Sequence, residues 1–152
     1  MSKMRLKDEE SGLVTKSLSM KKEHRETAIE ELNNFISSLN NESLKNSIVV
    51  VEGKKDIDAL NYLGVRGNLK AYHNFKGTTD FVDYCSANYK KLILLLDADQ
   101  KGKAITKKIL SQTNGKFIDL YYKKKLLKIT KGRIKKIEEM KSFYITISEK
   151  IE

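Results

Sequence analysis

Two apolar runs in this chain stop abruptly at acidic residues. In LILLLDADQKG, Leu92 to Gly102, five aliphatic residues lead into two aspartates separated by one residue. In IVVVEG, Ile48 to Gly53, four β-branched residues lead into one glutamate and a glycine. Neither run alternates with polar positions, which is the pattern of a strand covered on both faces, as in a parallel sheet between helix layers.

Around these runs the apolar spacing changes to that of helices. From Met20, residues Ala28, Ile29, Leu32, Phe35, Ile36 and Leu39 form one apolar stripe, and Asn40 and Asn41 end it. Lys54 to Leu63 carries Ile57, Leu60 and Leu63 on one side, with Gly64 as terminator. Leu69 to Phe75 is a weaker strand, followed by a turn at Lys76 and Gly77. Thr78 or Thr79 can cap a helix through Phe81, Val82 and Cys85 to about Tyr89. Lys101 to Gln112 is helical by Ala104, Ile105, Ile109 and Leu110, and Asn114 and Gly115 break it. Phe117 to Tyr122 reads as the last strand.

Strands alternating with helices predict an α/β fold, a compact Rossmann-like unit with a four-stranded, mainly parallel sheet between helices. Ligand chemistry in such sheets gathers at the carboxyl ends of the strands. Glu52, Asp97 and Asp99 stand at two such ends, and they meet only if the first and third strands are neighbours. The order 2-1-3-4 is therefore inferred from the site. Clustered carboxylate oxygens suit Mg²⁺ or Mn²⁺ rather than zinc, which favours nitrogen and sulfur. Gly102 lets the backbone pass close to the site.

The chain's 152 residues suffice for one domain with a real core. Residues 1–19, polar and without periodicity, are expected to be a mobile extension; residues 20–122 form the domain with its preceding helix; residues 123–152 form a basic segment packed on it. The net charge of +10 and pI near 9.5 direct attention to polyanionic partners. That charge is uneven: Lys123 to Lys136 holds eight basic residues and no acidic one. Leu126, Leu127, Ile129, Ile134 and Ile137 are expected to anchor this segment, leaving Lys123, Lys124, Lys125, Lys128, Lys131, Arg133, Lys135 and Lys136 facing outward. A single cysteine, Cys85, excludes an internal disulfide and suits a reducing cytoplasm. No apolar run is long enough to span a membrane, so no membrane partner is expected.

VVVEGKKDIDAL followed about 45 positions later by LLLDADQKG resembles the Toprim domain of bacterial primases, topoisomerases, old-type nucleases, recombination proteins and the ribonuclease that matures 5S ribosomal RNA. The likeness is greatest to the small stand-alone, primase-like Toprim proteins of archaea and covers about Ile48 to Tyr122, extending into the basic tail. The resemblance implies that Glu52 acts as general acid or base or as a metal ligand. It implies that Asp97 and Asp99 bind Mg²⁺, while Gly53, Asp56 and Gly102 fill the motif's supporting positions. This chain carries no zinc-binding module and no helicase or polymerase body, so the resemblance implies neither strand passage nor a complete primase.

Other readings compete for the same residues. Each acid alone could simply cap a helix start. A phospho-aspartate mechanism with Asp97 as nucleophile would want Thr or Val where Lys101 stands, and would leave Glu52 unused. Lys54, Lys55, Lys101 and Lys103 flank the acids and could hold phosphates or be solvated surface charges. His73 could touch substrate, while His24 and His73 are too isolated for a zinc site. Tyr121 and Tyr122 could stack on bases or serve the core. The expectation is a Mg²⁺-dependent phosphotransfer domain acting on RNA or DNA, a small nuclease or primase-like factor, with protein partners in processing or replication complexes. The alternative is a non-catalytic, metal-assisted nucleic-acid-binding module.

Overall fold

The computed structural model describes residues 22–151, and the extension expected over residues 1–19 lies outside the described residues. The described elements are α1 (Lys22–Ser43), β1 (Ser47–Val51), α2 (Lys54–Leu63), β2 (Leu69–Ala71), α3 (Thr78–Asn88), β3 (Lys91–Leu94), α4 (Gln100–Thr113), β4 (Ile118–Asp119), α5 (Tyr121–Thr130) and α6 (Met140–Ile151). Short 3₁₀ turns span Tyr72–Asn74 and Ile137–Glu139. The four strands form one sheet in the order β2-β1-β3-β4, and every neighbouring pair is parallel.

The unbroken apolar runs are explained by what covers each face. Val49, Val51, Ile93 and Leu95 point into a core shared with Leu32, Phe35 and Leu39 of α1, Leu60 of α2, Leu126 and Ile129 of α5, and Phe143 and Ile147 of α6. Ile48, Val50, Leu92, Leu94 and Leu96 point the other way, onto Phe81 and Cys85 of α3 and Ile105 and Ile109 of α4. Successive strand residues alternate between faces, so both faces must be apolar if both are buried. Full burial of each such side chain contributes about 1.5–3 kcal/mol.

Four expectations need correction. The second strand stops at Ala71, because the backbone turns into the 3₁₀ turn at Tyr72–Asn74 and His73 N–H donates to Glu52 O at 3.0 Å. The first helix runs past Asn40 to Ser43; Asn40 spends its amide on the loop after α2, donating to Gly64 O and accepting from Arg66 N–H. The last strand is only Ile118–Asp119, and Tyr121 opens a helix where Asp119 Oδ1 accepts its N–H at 2.7 Å. Leu127 does not anchor the basic segment, for it is 36% exposed, whereas Leu126, Ile129, Ile134 and Ile137 are buried as expected.

A buried polar network ties these layers together at the opposite ends of β1 and β3. Glu42, at the end of α1, accepts from Ser47 Oγ at 3.0 Å and from Tyr122 Oη at 3.0 Å, and pairs with Lys91 at 3.1 Å. Lys91 also pairs with Asp119 at 3.1 Å. Burial alone would raise the Glu42 carboxyl, but Lys91, Tyr122 and Ser47 outweigh it and hold the group below the usual carboxylate range.

Candidate metal centre

Glu52, Asp97 and Asp99 converge where β1 and β3 leave the sheet. The register sets Val50 opposite Leu94, and Leu95 N–H donates to Val50 O at 2.8 Å, so the two chains exit side by side. One carboxylate oxygen from each of the three residues lies within 4.8 Å of the others. Glu52 and Asp97 are buried and Asp99 is half-buried.

Each carboxylate is aimed by a backbone N–H. Glu52 Oε1 accepts from Asp97 N–H at 3.3 Å, Asp97 Oδ1 from Ile137 N–H at 2.9 Å, and Asp99 Oδ1 from Gly102 N–H at 2.8 Å. The last bond is the N-cap of α4, which accounts for an aspartate immediately before that helix. Each side chain keeps a second oxygen for a cation. Burial of charge, and after it repulsion between neighbouring carboxylates, is the energetic cost of this arrangement. Burial raises the Asp97 carboxyl most; the Ile137 N–H opposes it, and Asp56, Glu52 and Asp99 add to it, placing the group at about 7. A divalent cation among the oxygens would reverse that repulsion, and hard oxygen donors match Mg²⁺ or Mn²⁺.

The supporting residues have visible roles. A Cβ on Gly102 would collide with the carbonyl of Asp97 and come within 2.9 Å of Glu52 Oε1, so α4 can approach the centre only without a side chain there. Asp56 accepts from Gly53 N–H at 3.1 Å, closing the first turn of α2 and fixing the bend that follows Glu52. Asp56 is itself buried, and burial, with Glu138 nearby, raises its carboxyl.

The lysines separate into two groups. Lys54, Lys55 and Lys136 line an open cleft with Glu52, Gly53, Asp56, His73, Asp97 and Glu138. Lys54 pairs there with Asp58 at 3.3 Å. Lys101 and Lys103 lie exposed in the first turn of α4. Lys124, Lys128, Lys131 and Lys135 are exposed along α5 and the segment after it, with Lys125 and Arg133 half-buried. Lys123 departs from the expected outward position: it is half-buried, and its Nζ donates to Asp97 O at 3.1 Å. The segment behind it also belongs to the site, since Ala98 N–H donates to Lys135 O at 2.7 Å.

Glu138 and the Ile137 amide were not legible as site groups, because they arrive from a distant turn through packing rather than motif. Tyr122 is no strand-end base platform; its ring packs edge-on to Phe35 with centroids 5.8 Å apart, and Tyr121 remains 58% exposed. No helix among the described residues is long and apolar enough to cross a membrane.

Fold and site together define an α/β protein with a carboxylate centre at the carboxyl ends of its two central strands. No family model matches the chain. It is 35% identical over 115 residues to a UPF0292 protein of Archaeoglobus fulgidus, covering 74% of this chain and 89% of that relative. Further UPF0292 relatives occur in Thermococcus gammatolerans, 29% identical over 101 residues and covering 65% of this chain and 74% of the relative, and in Methanosarcina barkeri, 27% identical over 118 residues and covering 76% and 81%. The chain belongs to the UPF0292 family. Among solved structures it is similar to a putative protein from Aquifex aeolicus, with a TM-score of 0.57 and 31% identity over 70% of this chain and 94% of that one.

Proposed function

We propose that this protein is a Toprim-type, Mg²⁺-dependent phosphotransfer domain acting on RNA or DNA in a reducing cytoplasm, as a small nuclease or primase-like factor. The observation that carries the reading is the convergence of Glu52, Asp97 and Asp99, each oriented by a backbone amide, within 4.8 Å of one another. Capping alone would account for Asp99 but gives no reason for Glu52 and Asp97 to share a buried corner against their mutual repulsion.

A bound divalent ion supplies Lewis acidity toward a phosphate oxygen and lowers the pKa of a coordinated water. Asp97 and Asp99 would hold that ion, with Glu52 completing the set or taking a proton from the attacking group. Lys54, Lys55 and Lys136 border the same cleft and would receive a nucleic-acid backbone there. The exposed lysines of α5 would add grip without base readout.

The test is incubation of the full chain with labelled single- and double-stranded RNAs and DNAs in Mg²⁺, Mn²⁺ or chelator. Cation-dependent cleavage or extension that disappears in Asp97→Asn/Asp99→Asn is the expected result. Equal activity in that variant refutes the reading, and salt-sensitive binding without turnover would establish the non-catalytic module instead.

A further inference from the structure

We propose that Lys123 is a phosphate ligand of this centre, its ammonium holding a non-bridging phosphate oxygen while the carboxylates hold the cation. This deepens the function proposed above and rests on it.

The first support is position. Lys123 lies in the opening turn of α5, and its Nζ donates to the carbonyl of Asp97, the residue whose carboxylate belongs to the trio. An ammonium has three donors and the carbonyl takes one. Two remain for oxygen acceptors at the edge of the site.

The second support is the choice of acceptor. Glu52, Asp97 and Asp99 all lie within electrostatic reach of the ammonium. Yet Lys123 makes no ion pair with them of the kind that joins Lys54 to Asp58 or Lys91 to Glu42 and Asp119. A lysine present only to neutralise the trio would close onto a carboxylate oxygen. Held on a carbonyl, this one leaves those oxygens to a cation and keeps its own charge for an anion.

The third support is preorganisation. The preceding residue, Tyr122, is anchored on Glu42 by its hydroxyl and on Phe35 by its ring, which fixes the start of α5 before any ligand arrives. Donors already in place at a phosphate site need no reorganisation when the ligand binds.

The test uses the full chain with Mn²⁺ as metal and inorganic phosphate as probe. A Mn²⁺ titration followed by electron paramagnetic resonance reports the metal, and the Mn²⁺-induced relaxation of the phosphate ³¹P signal reports the anion. Lys123→Gln should leave Mn²⁺ affinity intact or improved, since a nearby positive charge is removed, and should weaken phosphate binding about tenfold or more. Lys123→Arg should recover much of it, whereas Lys108→Gln, an exposed lysine further along α4, should change it far less. Lys123→Met keeps the apolar stem packed and replaces Lys123→Gln should that variant melt early. Unchanged phosphate binding with Mn²⁺ binding intact overturns the inference and leaves the carboxylate centre standing. Loss of Mn²⁺ binding in Lys123→Gln makes the residue a structural prop for Asp97 and also overturns it. Failure of the wild-type chain to bind Mn²⁺ removes both the centre and the inference.

Discussion

The backbone N–H of Ile137 donates to Asp97 Oδ1 at 2.9 Å across 40 positions of sequence. Through this bond the basic carboxyl-terminal segment becomes part of the carboxylate centre. Ile137 is buried beside Met140 and Ile134, so the amide is held by core packing.

The strain in the trio should be visible as stability. The Asp97 carboxyl sits at about 7 in the folded chain against an ordinary 3.8. A raised carboxylate favours the fold when protonated, so this contribution is fully present below about pH 4 and is lost as pH rises toward about 7. Asp97→Asn keeps an oxygen for Ile137 N–H and removes the charge. In chelator near neutral pH, urea unfolding should show the variant more stable by about 1–3 kcal/mol, with the difference vanishing near pH 4. A variant less stable at both pH values would show that the buried charge of Asp97, penalised first by burial and then by its acidic neighbours, does not burden the fold.

Gly102 makes an opposite prediction from the one helix propensity gives. Alanine in a helix interior usually gains about 0.5–1 kcal/mol over glycine. Here its Cβ would meet the Asp97 carbonyl and Glu52 Oε1. Gly102→Ala should therefore lose about 1–3 kcal/mol in thermal unfolding and weaken divalent binding. A stabilised variant with normal metal affinity would show that α4 can shift away.

Glu42 is expected to matter for folding rather than chemistry. Its carboxyl lies below its ordinary 4.5 despite burial, because Lys91, Tyr122 and Ser47 bond to the charged form. That contribution is present above the unfolded value and is lost as pH falls through the folded one. Glu42→Gln should cost about 2–4 kcal/mol in urea unfolding at neutral pH and less in acid, while the apparent Mn²⁺ affinity of the folded protein stays unchanged. A cost that persists undiminished in acid would assign the loss to packing instead of charge.

The exposed lysines should act through salt. If α5 follows a nucleic-acid backbone, log affinity against log salt falls with a slope of about 0.7–0.9 per phosphate contacted. Replacing Lys124, Lys128 and Lys131 together with Gln should reduce that slope by about 2–3 while leaving cleavage per bound substrate unchanged. Filter binding at several salt concentrations measures it, and an unchanged slope would place the contact surface elsewhere.

How much of this was legible in the sequence follows from where the information lies. Both central strands could be read because two-sided burial leaves no polar residue in Ile48 to Val51 or Leu92 to Leu96. The three acids can meet only if the first and third strands are neighbours, and β1 does pair with β3. The last strand could not be bounded, because Phe117 to Tyr122 is apolar or aromatic at every position but Asp119 whether it pairs or starts a helix, and the deciding bond is the Tyr121 amide to Asp119. Lys123 was indistinguishable from its neighbours in a lysine run; only the placement of α5 against Asp97 separates it. Glu42 gave no signal, since its partners Ser47, Lys91 and Tyr122 are brought to it from three other elements.

Metal binding itself tests the central claim most directly. A Mn²⁺ titration of the full chain, followed by calorimetry, should show saturable binding that Asp97→Asn, Asp99→Asn and Glu52→Gln each weaken by about tenfold or more while the variants stay folded. A wild-type chain that takes up no divalent ion, or folded variants that bind it as tightly as wild type, would contradict the claim that these three carboxylates form one cation site.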